Sequence, residues 1–599
     1  MKKIFYALLI VLFVALQACS GKDSISIVPP VELPVDSAQA SITISLQGDE
    51  HTFYLGTSTF FEVQAKKANG DKDDFRIKIS DNSVLSSKVN GDTVELIAVK
   101  QGEAAVTIRA RSNDSVSVSF HVTVIAATST PVHNAENIDV DTRLQLRFGV
   151  TPTLNTAGEI AIYKLDGTQV DLIKLNDAAN NSSYTSTKTN FIGKANNNNG
   201  GRVRAVSYTP VRVEGNSVII APHNGVLEYG TEYYVTISDG AIAQFIGFKA
   251  NEWVFKTKVR APEGDAVTVD AAGGADFSTI QSAIDYVAAK GKEAPVTINV
   301  KNGVYEEMLF VRNKNNITII GESRDGVIIH YDNCEALNGG SGAAEVRPSA
   351  GGALKSGGRS LFLIEGCDML RLENLTIKNT HAKIGSSDQA ETIYFNSTGR
   401  IVAVNCSFIS AQDTILVKGY CWFYNCLIAG DVDFIWGYVN ICLIENCEIR
   451  TRVDVRNGVA TSNGGYVMQA RVENSASKGF VFLNCNFTGE AGAPDGKTYL
   501  ARSAGSGVYD NVSVISCTLG KHIATAGWYN NPLPNPGTAN ATGGWKEYGS
   551  KNEDGTASST TGRLSPGSYQ LTENEYIAGY ATRAAIFSGY ANGTSWMSE

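Results

Sequence analysis

The second half of the chain carries a pattern of apolar and polar residues that repeats at intervals of about twenty. Asn405-Cys406-Ser407-Phe408 and Asn425-Cys426-Leu427-Ile428 are two copies of one unit, and the equivalent Asn446 follows twenty-one residues later. A repeat of this length is typical of a solenoid, in which each coil covers the apolar side of its neighbour. The pattern therefore predicts a parallel β-helix, which we expect to be right-handed.

Short apolar runs bounded by Gly, Asn or Asp mark the strands of this solenoid. Longer gaps, from Asn374 to Asn405 and from Asn446 to Asn484, predict loops inserted on one side, where a solenoid builds its cleft. A capping box at Ser278-Thr279-Ile280-Gln281 predicts a short amphipathic helix over the open end. The predicted strands are Val296 to Val300, Ile317 to Ile320, Leu370 to Ile377, Ile401 to Phe408, Trp422 to Ile428, Ile441 to Ile449, Phe480 to Phe487 and Val512 to Leu519.

Earlier in the chain the pattern has a period of two. Apolar and polar residues alternate from Val116 to Val124, which is typical of half-buried strands, and Asn90-Gly91 predicts a hairpin turn. We predict an all-β protein in which two immunoglobulin-like β-sandwiches, at residues 41–127 and 128–260, precede a β-helix at 262–599. The run Val99 to Ile108 resembles bacterial immunoglobulin-like domains, and a spacer role or weak carbohydrate binding is favoured for both sandwiches.

The first nineteen residues have the pattern of a targeting signal. Two lysines precede the apolar run Ile4 to Leu16, which is too short to span a bilayer but suits the core of a secretory signal. Leu16-Gln17-Ala18-Cys19 is similar to a bacterial lipoprotein cleavage site, which implies a lipid on Cys19. An ordinary cleaved signal is the alternative. We expect residues 20–40 to be a linker, and the mature protein to be an exported monomer, lipid-anchored to the bacterial envelope at the outer membrane.

Composition narrows the candidate functions. A net charge of -9 and a pI of 5.5 argue against nucleic acid as a partner. Nine cysteines follow Cys19, and five of them occupy the same position of the repeat. We expect these five to be buried free thiols inside the solenoid. Neither a Cys-x-x-Cys motif nor a Cys/His cluster indicates a zinc site.

Two acidic residues stand out against this repeat. Asp413 and Asp433 each lie seven residues after the cysteine of their unit. Because neighbouring parallel strands are about 4.8 Å apart, we expect the two carboxyl groups side by side on one face. Such a pair titrates as a coupled unit with one acid and one anion at neutral pH, as ester hydrolysis needs.

The same periodicity nominates a third acid. Asp454 lies seven residues after Cys447, and Asp431, two residues before Asp433, is a reserve candidate. A lone Asp in a turn is more often structural than catalytic, so spacing alone does not separate these acids.

Several separated motifs in residues 262–599 resemble, in order, those of the pectin methylesterase family. The resemblance implies a β-helix that hydrolyses the methyl esters of galacturonate in pectin without a metal or other cofactor. It also implies a role for each matching residue, with Asp433 as the nucleophile and Asp413 as the acid that later acts as a base. Gln389 and Gln412 would donate to the oxyanion, and Arg502 would pair with Asp433. The motifs are Gly303-Val304-Tyr305-Glu306-Glu307, Ile317-Thr318-Ile319-Ile320-Gly321, Asp388-Gln389-Ala390, Gln412-Asp413-Thr414, Asp433-Phe434-Ile435-Trp436-Gly437 and Tyr499-Leu500-Ala501-Arg502.

Five aromatic residues are candidates to line a sugar-binding cleft, with outer packing between loops as the alternative: Trp422, Trp436, Tyr438, Trp528 and Tyr529. Trp436 matches a family cleft aromatic, and Tyr438 stands where Asn is common. Ser503-Ala504 replaces the Pro-Trp of many members, and we expect Trp528 to supply the missing ring. Two alternatives stay open, a catalytically silent pectin-binding surface protein and a β-helical pectate lyase. A serine esterase is disfavoured because no Gly-x-Ser-x-Gly motif occurs.

Overall fold

The computed structural model describes residues 39–178, 186–193, 202–243, 245–341 and 358–599. The predicted signal segment and Cys19 lie outside these residues. The chain divides into two compact units, Met1–Val124 and Ile125–Glu599, and each is described by itself. Within the described ranges, no helix has the length and apolar character needed to cross a bilayer.

The first unit contains two antiparallel four-stranded sheets. Alternate residues of each strand point inward, so that Leu96, Val106 and Phe120 are almost completely buried in one core. The hairpin predicted at Asn90-Gly91 joins two neighbouring strands. In spatial order the sheets are Ser41–Ile44, Ser58–Lys66, Thr93–Ala98 and Leu85–Asn90, and Glu50–Tyr54, Ser117–Ile125, Gly102–Ala110 and Phe75–Ile79.

The second unit begins with another β-sandwich, built around Tyr233, Trp253 and Phe255. A separate two-stranded hairpin, Thr189–Ile192 with Arg204–Ser207, belongs to the same region. The two larger sheets are Ala135–Ile138, Val254–Thr257, Glu232–Ile237, Glu159–Lys164 and Gln169–Lys174, and Val211–Glu214, Ser217–Ile220, Leu144–Phe148 and Ala127–Thr130.

From residue 266 onward the chain forms a parallel β-helix, which confirms the predicted fold class. The parallel pairings give three faces, here named A, B and C. Face A contains Leu309–Arg312, Phe362–Glu365, Ile393–Asn396, the first parts of Ile415–Tyr424 and Val432–Glu445, Tyr466–Ala470, Tyr499–Arg502 and Trp528–Tyr529.

Faces B and C complete each coil. Face B contains Ala266–Val269, Val296–Val300, Ile317–Gly321, Leu370–Glu373, Arg400–Val404, the second parts of the two long strands of face A, Gly479–Leu483, Val512–Ile515, Trp545–Tyr548 and Ser568–Gln570. Face C contains Gly303–Glu306, Val327–Tyr331, Thr376–Asn379, Ser407–Ile409, Leu427–Gly430, Glu448–Thr451, Asn486–Gly489, Thr518–Leu519 and Lys551–Asn552. A small hairpin, Val455–Arg456 with Val459–Ala460, lies in a loop.

The repeated Asn marks the turn from face B to face C. Asn405, Asn425 and Asn446 have φ values of 53°, 53° and 54°, a left-handed conformation that Asn tolerates better than most residues. The turn directs the next side chain inward, so Cys406 and Cys426 are buried as free thiols. The same holds for the other described cysteines of this position, which confirms the prediction of thiols inside the solenoid.

The helix Ile280–Ala288 covers the open end of the coil as predicted, but the predicted capping box does not form. The N-cap is Thr279, whose hydroxyl accepts a hydrogen bond from the Ser282 amide. The carboxylate of Glu307 accepts hydrogen bonds from the first two amides of the helix, those of Ile280 and Gln281, both at 2.9 Å. Carboxylates from elsewhere in the fold therefore satisfy the free donors of this helix.

The second sandwich is bound closely to the β-helix. Arg204 of its hairpin is completely buried and donates to the main-chain oxygens of Leu309, Leu361 and Gly358 at 2.9 to 3.0 Å, and also to that of Ser360. Asp141 of the same sandwich accepts the amides of Ser278 and Thr279 at the start of the covering helix. The sandwich is therefore part of the wall beside face A and more than a spacer.

Two short helices, Glu573–Gly579 and Arg583–Ile586, close the C-terminal region over face B. Arg583 donates to Glu445 at 2.8 Å and lies 4.6 Å from the ring of Trp422. Trp422, which the sequence suggested for the cleft, is completely buried beneath this cover.

Candidate active site

Asp413 and Asp433 occupy equivalent turns, from face C into face A, on adjacent coils. Ile415 pairs with Ile435 two residues later, and the Asp413 amide donates to the Val432 oxygen at 3.0 Å. Both acids have left-handed φ values, 65° and 46°. An L-residue adopts this conformation at some cost in backbone energy, which Asp tolerates better than most residues. The turns place both carboxyl groups on the same edge of face A.

Arg502 pairs with Asp433. Its Nε lies 2.8 and 3.0 Å from the two carboxylate oxygens of Asp433, and its Nη2 also contacts Oδ2. The guanidinium therefore donates hydrogen bonds to both oxygens of Asp433, which is the geometry of a strong charge-assisted pair. Arg502 itself lies 4.9 Å from the ring of Tyr466, which limits its movement.

The two acids have different environments. Burial raises the pKa of Asp433, while the hydrogen bonds and charge of Arg502 oppose this rise. Burial and the nearby negative charge of Glu391 raise the pKa of Asp413 well above its usual value, against the opposing charge of Arg359. Asp433 thus has the partner that favours the carboxylate, whereas the surroundings of Asp413 favour the neutral acid.

The two glutamines flank these acids on successive coils. The Ala390 amide, next to Gln389, donates to the main-chain oxygen of Gln412 at 3.1 Å, so the two segments are in register. Both side chains are half-buried, and Oε1 of Gln389 is buried without a hydrogen-bond partner. Asp388 fixes the preceding loop by accepting the amide of Gly385 at 2.9 Å. The main-chain register thus places both glutamines near Asp413, and a primary amide is an uncharged donor.

The other two candidate acids are committed to a buried ion cluster. Lys383, which is 4% exposed, donates to Asp431 at 2.7 Å and also contacts Asp454. Asp454 is paired with Arg456 as well, at 3.2 Å. These ion pairs give Asp431 and Asp454 a structural role, and neither becomes a candidate nucleophile.

Trp436 and Tyr438 lie on the outer side of face A. Trp436 is only 5% exposed because Arg359 and Arg471 cover its ring at 5.4 and 4.7 Å. Tyr438 is half-buried and accepts a hydrogen bond from Arg471 at 3.1 Å. Their binding of substrate stays a prediction.

The prediction for Trp528 is wrong. Its side chain is 1% exposed, stacks on Trp545 with ring centres 5.3 Å apart, and donates to Glu547. Residues alternate across a strand, so the next residue, Tyr529, points outward in register with Arg502. Tyr529 meets Tyr466 at 5.1 Å and Tyr499 at 5.0 Å, which forms a half-exposed group of three tyrosines beside Arg502.

Sequence reasoning missed Arg359, Glu391 and Arg471. Glu391 had a detectable signal, since it precedes Asp413 by twenty-two residues and so falls at the same position of the preceding coil. Arg359 and Arg471 had none, because each follows an irregular interval. Among the described residues, no group of three or more His, Cys, Asp or Glu side chains is placed to hold a metal ion.

Comparison with known proteins identifies the family of this chain. The family model described as Pectinesterase matches residues 266–589, more than half of the 599 residues. Pectinesterase 31 of Arabidopsis thaliana is 29% identical over 266 residues, 44% of this chain and 76% of that protein. "Probable pectinesterase/pectinesterase inhibitor 64" of the same plant is 28% identical over 279 residues, 44% of this chain and 42% of its own length. The chain belongs to the pectinesterase family.

Two solved structures are similar to the β-helix. A pectin methylesterase from carrot is 21% identical, with a TM-score of 0.45 over 57% of this chain and 98% of that chain. A pectin methylesterase from Erwinia chrysanthemi is 24% identical, with a TM-score of 0.42 over 55% of this chain and 98% of that chain.

Proposed function

We propose that this protein is a pectinesterase that hydrolyses methyl esters of galacturonate in pectin and releases methanol. The observation that carries the proposal is the hydrogen bonding of Arg502 to both oxygens of Asp433, one coil away from Asp413. Nucleophilic ester hydrolysis requires such a pair, a fixed carboxylate that attacks and a neighbouring carboxylic acid that donates a proton. Family membership supports the same reaction.

In the first half-reaction, a carboxylate oxygen of Asp433 attacks the ester carbonyl carbon. The carbonyl oxygen takes the negative charge, and the side-chain amides of Gln389 and Gln412 donate to it. When the tetrahedral intermediate collapses, the bond to the methoxy oxygen breaks and Asp413 protonates that oxygen. Methanol leaves, and the sugar carboxyl is joined to Asp433 as an anhydride.

In the second half-reaction, the now ionised Asp413 takes a proton from water. The resulting hydroxide attacks the sugar carbonyl carbon of the anhydride, and the bond to Asp433 breaks. The sugar leaves as a carboxylic acid, which releases its proton to solvent, while Asp433 is a carboxylate again and Asp413 has regained its proton. Arg502 stabilises Asp433 as a leaving group because the guanidinium stays charged throughout.

The surroundings suit an acidic polysaccharide. Lys418 lies 5.3 Å from the ring of Tyr438, and Arg471 lies between Tyr438 and Trp436. These cations on face A attract the free carboxylates of a partly esterified chain. The three tyrosines beside Arg502 offer rings against which sugars can pack.

The test is methanol release from highly methylated homogalacturonan by the parent and by Asp433→Asn. We expect the parent to release methanol and Asp433→Asn to be inactive, since a neutral amide is a poor nucleophile. Asp325→Asn is the matched control, because Asp325 lies in an exposed turn on the far side, between faces B and C. Equal release by parent and Asp433→Asn would refute the nucleophile. Pectin binding without release by any variant would indicate a silent binding protein, and unsaturated products would indicate a lyase.

We also propose that the protein is exported and carries a lipid on Cys19. The charged start, the apolar run Ile4 to Leu16 and the segment Leu16-Gln17-Ala18-Cys19 support this location. The test is incorporation of a labelled fatty acid and recovery in the membrane fraction of the producing bacterium. Cys19→Ala should lose both, and equal labelling of the two proteins would contradict the proposal.

A further inference from the structure

Glu391 is a buried carboxyl group that the reaction above does not use. It is completely buried, and it occupies on the preceding coil the position that Asp413 and Asp433 occupy on theirs. The Thr392 amide donates to the Thr414 oxygen at 2.7 Å, which fixes this register. Three acids of three consecutive coils are therefore stacked along one edge of face A.

Arg359 lies among these acids and is shared between them. Its Nε donates to Oε1 of Glu391 at 2.8 Å, and its Nη2 lies 3.4 Å from Oδ2 of Asp413. Its Nη1 lies 3.4 Å from Glu335, and its guanidinium covers Trp436. The short contact goes to Glu391 and the long contact to Asp413, so the cation favours the acid that takes no part in the reaction.

Asp413 faces Asp433 and Glu391 as negative groups and Arg359 and Arg471 as positive ones, with Arg502 farther away. Glu391 faces Arg359 and Glu335, and Arg204 also interacts with it. Burial raises the pKa of Glu391 to about 7, against the charge of Arg359. The other oxygen of Glu391, Oε2, has no hydrogen-bond partner.

We propose that Glu391 and Arg359 are positioning residues for Asp413, in which Glu391 holds the guanidinium so that Asp413 is kept in place without entering a full ion pair. The inference rests on the proposed function of Asp413 as the catalytic acid. A cation closer to Asp413 would lower its pKa and so remove the proton that the departing methoxy group needs. Without any cation, the ionised Asp413 of the second half-reaction would be buried with no positive charge to compensate it. An Arg at 3.4 Å serves both states.

The experiment measures kcat/KM for methanol release against pH in the parent, Glu391→Gln and Arg359→Met. The alkaline limb of the profile reports loss of the proton from the catalytic acid. Glu391→Gln removes a negative charge and frees Arg359 for Asp413, so the limb should move to lower pH by about one unit. Arg359→Met removes the cation, so the limb should move to higher pH. A merely structural pair would lower the rate without moving the limb in opposite directions.

Glu365→Gln is the matched control, because Glu365 is another buried acid paired with an arginine, Arg312, on face A. The alkaline limb of Glu365→Gln should lie at the same pH as that of the parent. The inference is refuted if Glu391→Gln and Arg359→Met leave the limb in place, or if Glu365→Gln moves it equally. If Glu391→Gln does not fold, the direction found for Arg359→Met decides. A parent without methanol release would refute the proposed function itself, whereas an active parent with fixed limbs refutes only this inference.

Discussion

Arg502 and Asp433 form a forked ion pair across 69 residues of sequence, joining two strands of face A. The guanidinium reaches both carboxylate oxygens, and the Asp433 side chain is 6% exposed. In this geometry one arginine both orients the proposed nucleophile and opposes the rise of its pKa on burial.

Replacing Arg502 by Lys should therefore lower kcat although the charge is kept. An ammonium group makes one strong contact where the guanidinium makes two, and a lost hydrogen bond to a charged group costs about 1.5 to 3 kcal/mol. We expect a decrease in kcat of roughly 10- to 100-fold, measured by methanol release at saturating substrate. Arg109→Lys, at an exposed position of the first unit, is the control and should keep the parent rate. An unchanged kcat in Arg502→Lys would show that the fork has no role in turnover.

Gln389→Ala and Gln412→Ala should each reduce kcat with little change in KM. Loss of one oxyanion donor costs on the order of 100- to 1,000-fold in rate, because the missing hydrogen bond stabilises the transition state more than the substrate. Initial rates over a range of methylated oligogalacturonide concentrations separate the two parameters. Gln101→Ala, an exposed position in the first unit, should behave as the parent. A rise in KM at constant kcat would assign these amides to ground-state binding.

Replacing Trp528 should lower the stability of the protein, whereas replacing Tyr529 should weaken its binding of substrate. Trp528→Ala removes a completely buried ring from its stack on Trp545, which costs about 3 to 5 kcal/mol of unfolding free energy. Tyr529→Ala removes a half-exposed ring, so the thermal midpoint should change little while KM rises several-fold. Thermal unfolding and initial rates of both variants check this. A rise in KM for a stable Trp528→Ala would restore Trp528 as a substrate contact.

Lys546 should give the protein a pH-dependent stability. It is completely buried, donates to the Gly544 oxygen at 2.7 Å, and burial lowers its pKa to about 7. Between about pH 7 and 10.5 the unfolded chain therefore binds a proton that the folded chain lacks, so stability should rise with pH across this window and level off below it.

Lys546→Met should flatten this dependence and raise the thermal midpoint at pH 7, because a neutral chain of similar length replaces the buried amine. The measurement is thermal unfolding from pH 7 to 10 for both proteins. Lys551→Met, at an exposed lysine, should retain the parent slope. An equal slope in Lys546→Met would assign the pH dependence to other groups.

The sequence predicts those features of the fold and the site whose residues lie close together in the chain. The Asn turns repeat locally, so the β-helix, the buried thiols and the positions of Asp413 and Asp433 follow from spacing alone. Glu391 falls at the same position of the preceding coil, twenty-two residues before Asp413. The residue seven before it is Ile384 instead of a repeat cysteine, because an inserted loop stretches the interval from Asn374 to Asn405 to thirty-one residues.

Other features depend on contacts that sequence spacing does not contain. Trp528 and Tyr529 are adjacent aromatics on a two-residue strand, and only the strand's orientation decides which of them faces the core. The exclusion of Asp454 depends on Lys383, seventy-one residues earlier, which folds back to neutralise it. Arg204 reaches carbonyl groups 105 to 157 residues away. Pattern reasoning therefore identified the repeat and the acids, and missed what surrounds them.

The buried anchor of Arg204 bears on how this enzyme can be shortened. A fragment limited to the matched residues 266–589 would deprive the main-chain oxygens of Leu309 and Leu361 of the hydrogen bonds that Arg204 donates. It would also bare Phe310 and Leu363, which pack against Ile192 and Val206 of the hairpin. Such a fragment would expose an apolar surface next to its own cleft, and we expect it to aggregate. The smallest soluble esterase from this chain therefore begins near residue 125, at the boundary between the two compact units.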